Sequence, residues 1–62
     1  VDLKNIRIEW MDGPSREYAN VTTSVRDGVL HVHQYAAPSS VLVTAEWHFP
    51  ISNIREWKPV AP

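Results

Sequence analysis

His31-Val32-His33 is the one motif in this chain with the spacing of a metal site. On a β-strand, residues two apart point to the same side with side chains about 6.5 to 7 Å apart, so two imidazoles can share a zinc ion. A third ligand is needed, and His48 and Glu46 are the candidates. Whether either arrives depends on how its strand pairs with the strand carrying His31. A four-residue loop at Ala36–Ser39, the register that turns the odd positions of Val41–Phe49 to the core, sets His48 opposite Asp27, about 13 Å from His31 at roughly 3.3 Å per residue, and Glu46 opposite Val29, still about 7 Å away. Moving the register by one residue turns His48 to the other side of the sheet. The expectation is therefore no metal and no cofactor, with His31 and His33 as half-exposed histidines on a polar face.

Other chemistry has less support. Ser15, Ser24, Ser39, Ser40 and Ser52 fall in loops or on an ordinary strand, and none sits in a Gly-x-Ser-x-Gly elbow. The only glycines, Gly13 and Gly28, are both needed in turns, which leaves no phosphate-cradling loop. Asp12, Asp27, Glu46 and Glu56 read as turn-formers or solvated strand positions. Asn20-Val21-Thr22 matches the glycosylation acceptor pattern, but in the middle of a strand it reads as accidental. No catalytic residue is assigned, and the chain is read as non-enzymatic.

The aromatic residues carry more weight. Trp10 and Trp47 read as core anchors, because tryptophan dominates small cores. Trp57, between Arg55 and Lys58, has two readings: an exposed aromatic residue flanked by charge, the usual interface hot-spot type, or a plug for the open end of a barrel. Tyr18 and Tyr35, expected to share the polar face with His31 and His33, form a second candidate contact surface. The binding candidates are thus Trp57, Tyr18, Tyr35, His31 and His33.

The elements that must position these groups are β-strands. Asp27-Gly28 stands between Ala19–Arg26 and Val29–Tyr35, two alternating runs rich in β-branched residues. Such a link signals a two-residue hairpin turn with positive φ at both positions. It pairs Val25 with Leu30, Thr23 with Val32 and Val21 with Gln34. Asn5–Trp10 alternates with Ile6, Ile8 and Trp10 on one side, and Met11-Asp12-Gly13-Pro14-Ser15 breaks the chain into a loop. A strand from about Arg16 to Val25 and its return to Tyr35 follow. Ala36–Ser40 is the next connector, and Val41–Phe49 a fourth strand with Val41, Val43, Ala45, Trp47 and Phe49 turned to the core. Phe49–Ile54 has the look of a 3₁₀ turn, and Arg55–Lys58 closes the order ahead of a frayed 59–62. The predicted core is Ile6, Ile8, Trp10, Val21, Val25, Leu30 and Val32.

Five strands with a 3₁₀ turn before the last match an all-β, small SH3-like or Sm-like barrel, whose partial closure protects sheet edges. An open twisted five-stranded antiparallel sheet is the alternative. Residues 1–62 are read as one domain, since a chain this short buries only about 60% of the surface it exposes when unfolded. With no cysteine, the stabilising margin must come from aromatic packing or from a second chain.

A formal charge of −1, with basic residues scattered singly, lacks the basic stripe of a nucleic-acid binder. No apolar run approaches the roughly 18 residues of a membrane span, and no secretory leader is visible. A cytoplasmic location with no membrane partner is expected. The chain starts at Val1, which leaves the native start open.

Ile8-Glu9-Trp10-Met11-Asp12-Gly13, Arg16-Glu17-Tyr18, Val25–Leu30 and Phe49–Trp57 together resemble small uncharacterised β-proteins of actinobacteria and their bacteriophages. The Ala36–Ser40 connector and the histidine pair depart from that pattern. The resemblance implies a cytoplasmic or phage-encoded accessory protein and carries no catalytic residues. A protein-protein interaction module, possible self-association included, is the first functional expectation. A nucleic-acid-binding barrel using Lys4, Arg7, Arg16, Arg26, Arg55 and Lys58 is the second, and a metal-dependent activity through His31 and His33 the third.

Overall fold

Antiparallel pairing organises the whole chain. The computed structural model describes residues 3–61, and Val1, Asp2 and Pro62 lie outside the described residues. Its elements are β1 (Lys4–Trp10), β2 (Arg16–Arg26), β3 (Val29–Tyr35), β4 (Val43–Pro50), a 3₁₀ turn η1 (Ile51–Asn53) and β5 (Ile54–Val60). They form one sheet in the order β4-β3-β2-β1-β5. Asp27 and Gly28 adopt φ of 54° and 72°, the left-handed pair a tight hairpin turn requires. Val25 accordingly faces Leu30 and Val21 faces Gln34, as the turn dictates.

Three register shifts interrupt the ladders, and each reverses which side chains face inward. Between β1 and β2, Lys4 pairs with Val21 but Ile6 with Tyr18. The extra residue is accommodated by Asn20 at φ 57°, whose amide donates to Asn5 Oδ1 at 3.1 Å. Tyr18 and Val21, three apart, are therefore both buried. This corrects the expectation that Tyr18 shares a polar face with Tyr35 and the histidines. The side-chain amide of Gln34 donates to Ala19 O at 3.1 Å, supplying a bond at the bulge. A second shift, between Glu9 and Trp10 on β1, brings Ile54 inward together with Trp57. The third, between Gln34 and Tyr35, sets Val43 opposite Tyr35.

Bulges bend strands, and here they curl the sheet until Trp10 of β1 meets Phe49 of β4, ring centres 4.6 Å apart across the two intervening strands. The enclosed core is Ile6, Ile8, Tyr18, Val21, Leu30, Val32 and Ile54, flanked by half-buried Trp10, Trp47, Phe49, Ile51 and Trp57. The sheet does not close. β4 and β5 are its edges, so the open sheet replaces the barrel as the architecture. Half-buried Trp47 and Phe49 of β4 and Trp57 of β5 pack against the core. η1 bridges one end of the curl: the Ile51 amide donates to Gly28 O and the Met11 amide to Asn53 O, both at 2.9 Å.

Several smaller expectations change. Val25 is 55% exposed, because β1 ends its pairing at Lys4 opposite Val21 and leaves the tip of the hairpin without a neighbour on that side. Val41 and Leu42 belong to the connector rather than to β4, and Val43 is turned outward by the third shift. All three are exposed. β5 runs through Pro59 and Val60, which pair with Ile6 and Asn5, so the fraying expected from 59 does not occur at these positions. An edge strand tolerates proline because its missing N–H can face solvent.

Candidate functional site

Two surfaces gather groups able to do something, one on each side of the sheet. On the convex side, His31 pairs with His48 and His33 with Glu46. The β3–β4 register is thus four residues away from the expected one, and His48 lies opposite His31 rather than Asp27. Parity is conserved, which is why Trp47 and Phe49 still face the core. The cause is the connector. Ser40 N donates to Ala37 O at 3.0 Å and Ala36 N to Leu42 O at 3.0 Å, so the chain reverses around Pro38 and Ser39 instead of between Ala37 and Pro38, the middle of the expected Ala36–Ser39 loop. Proline favours the second position of a tight turn, a signal in the sequence that would have moved the apex the right way.

The result is a cluster of three imidazoles and a carboxylate. Glu46 Oε2 accepts from His48 Nε2 at 2.6 Å, and Glu46 Oε1 lies 3.1 Å from His33 Nε2. His31 and His48 pack with ring centres 4.6 Å apart. The His48 hydrogen bond holds the Glu46 carboxyl below the usual carboxylate range, with the charges of His33, His48 and His31 acting in the same direction. Thr22 and Ser24 of β2 lie opposite His33 and His31, so small hydroxyl side chains border the rings. Among the described residues no group of three or more His, Cys, Asp or Glu side chains is arranged to hold a metal ion.

On the concave side, Trp10, Pro14, Ser15, Arg16, Tyr18, Trp47 and Phe49 line a groove of about 330 Å³. Tyr18 packs edge-on to Trp47 at 4.8 Å and lies 6.3 Å from Phe49, which fixes the rings that form the floor. Trp10 also borders a neighbouring depression of about 320 Å³ with Met11, Asp12 and Asn53. Sequence reasoning did not find this groove, because it is built from β1, β2 and β4 only once the sheet has curled.

The five binding candidates therefore separate. His31, His33 and Tyr35 lie on the convex side, Tyr18 is buried beneath the groove, and Trp57 is half-buried over the core, paired with Ile8. Of the basic residues, Arg7 pairs with Glu17 at 2.8 Å and Lys58 with Glu56 at 3.6 Å. No helix among the described residues is long and apolar enough to cross a membrane. Comparison with protein-family models, curated proteins and solved structures gave no match.

Proposed function

We propose that this protein is a non-enzymatic protein-interaction module that binds an extended peptide segment of a partner in the groove over Trp10, Tyr18, Trp47 and Phe49. The carrying observation is that groove: half-buried Trp10, Trp47 and Phe49 over buried Tyr18, packed edge-on as Trp10–Phe49 and Tyr18–Trp47 pairs at an open sheet mouth. Aromatic-lined grooves suit extended, proline-containing peptides, whose backbone is already ordered and loses little entropy on docking. Arg16 at the rim is exposed and makes no ion pair among the described residues, so an acidic residue in the peptide is the complementary charge. Exposed Ser15 at the rim suits hydrogen bonding to a peptide backbone. The resemblance to small actinobacterial and phage proteins fits an accessory role of this kind.

The test is selection from a displayed random-peptide library, followed by NMR titration of the best sequence. Enriched peptides combining proline or apolar residues with an acid should shift the indole N–H signals of Trp10 and Trp47. Arg16→Glu should weaken binding without unfolding the protein, and Trp47→Ala should weaken it by about tenfold or more. Absence of any enriched sequence, or shifts confined to the convex side, would overturn the reading. Salt-sensitive binding of single-stranded DNA through the same tryptophans would favour nucleic acid instead.

A further inference from the structure

We infer that His31, His33 and His48 form a binding site for a borderline divalent transition-metal ion such as zinc, with Glu46 as fourth ligand or orienting carboxylate. The inference is independent of the peptide groove, which lies on the opposite side of the sheet. It begins from register. Directly opposed residues on antiparallel strands have Cα atoms about 4.5 to 5.5 Å apart, and next-but-one residues on a strand about 6.5 to 7 Å. His31 and His33 on β3 with His48 opposite His31 make a triangle of that size with all three side chains on one side. That triangle spans a single tetrahedral ion, in which Zn–N bonds of about 2.0 to 2.1 Å place ligand nitrogens about 3.4 Å from one another.

The carboxylate shows that the rings can reach a common point. Glu46 receives His48 Nε2 at 2.6 Å on one oxygen and His33 Nε2 at 3.1 Å on the other, so two imidazole nitrogens already flank one small anionic group. His31 stands beside His48 at 4.6 Å between ring centres. Bringing all three nitrogens onto one ion requires the side chains to rotate from the arrangement of this structure. The side chains of His33, Glu46 and His48 are 36%, 47% and 53% exposed, so no core packing opposes that rotation. Neutral imidazole is a good ligand for zinc, copper and nickel, and a carboxylate completes or orients the set. Each histidine would bind through Nε2 or Nδ1, and at His33 and His48 the metal would take the place of the contact now made with Glu46.

The experiment uses the full chain stripped with a chelator and titrated with Zn²⁺ by calorimetry, with Co²⁺ as a spectroscopic substitute. The expected result is one ion per chain at micromolar affinity or tighter, a visible cobalt spectrum of tetrahedral intensity, and movement of the imidazole nitrogen signals of all three histidines. His31→Gln, His33→Gln and His48→Gln should each weaken binding by about tenfold or more, and Glu46→Gln by less than any of them. Thermal melts of the variants without metal should stay close to the parent, since Glu46 and His48 are exposed and His31 and His33 only half-buried. Binding that survives His48→Gln unchanged, a stoichiometry above one, or no saturation below millimolar zinc would overturn the assignment.

Discussion

On one side of β3 the ladder to β2 follows a two-residue turn at Asp27-Gly28, whereas on the other the ladder to β4 follows a connector of seven residues, 36–42. The short turn leaves no choice of partner, because its twist and length fix which residues oppose each other. The long connector fixes nothing by itself. There the register is held by contacts between residues distant in the chain: the rings of Trp47 against Tyr18 and Phe49 against Trp10, and the backbone hydrogen bond from Ile51 of η1 to Gly28. One flank is thus set locally by the backbone and the other by packing across the sheet, and the histidine cluster lies on the second.

The largest expected effect removes a residue common to both flanks. Leu30→Ala, at a fully buried position, should cost about 2 to 5 kcal/mol in urea unfolding, and a loss under about 1 kcal/mol would show that the core is not centred on β3. Trp47→Ala should come next, at about 2 to 3 kcal/mol for a half-buried ring. Its sharper readout is selective: cross-strand NOEs between β3 and β4 should weaken while those between β2 and β3 persist. Equal weakening on both sides would erase the distinction between the flanks.

Gly28→Ala probes the local flank. No heavy atom lies within 4 Å of the added Cβ, so the cost should be the backbone penalty of a left-handed alanine alone, about 1 to 2 kcal/mol. Inserting seven Gly/Ser residues after Ser39 doubles the connector and should cost only about 0.6 kcal/mol, with His31 still opposite His48. A changed β3–β4 register in that variant would show that loop length, not packing, sets it.

The smallest effect is electrostatic. In chelator-treated protein the Glu46 carboxyl should titrate below an ordinary glutamate, and His48→Gln should move its midpoint back up. Because the folded-state value is the lowered one, the stabilisation is complete above the unfolded carboxyl pKa and fades as pH falls through the folded value. Carbon-detected NMR of the Glu46 carboxyl reads this directly, and an unmoved midpoint in the variant would mean the His48 hydrogen bond does not form in solution.

The sequence by itself determined the all-β class, the five strands, the 3₁₀ turn and the β2–β3 register, because alternation and turn chemistry act over a few residues. It also named all four members of the histidine cluster, yet separated them, since pairing across a seven-residue connector depends on contacts distant in the chain. Only the tertiary structure decided that Tyr18 is buried, through one extra residue at Asn20 that reverses inside and outside. Only it decided that the sheet stays open and that a groove forms at its mouth. Both rest on the bulges and on aromatic contacts between residues far apart in the chain, a balance that no short stretch of residues contains.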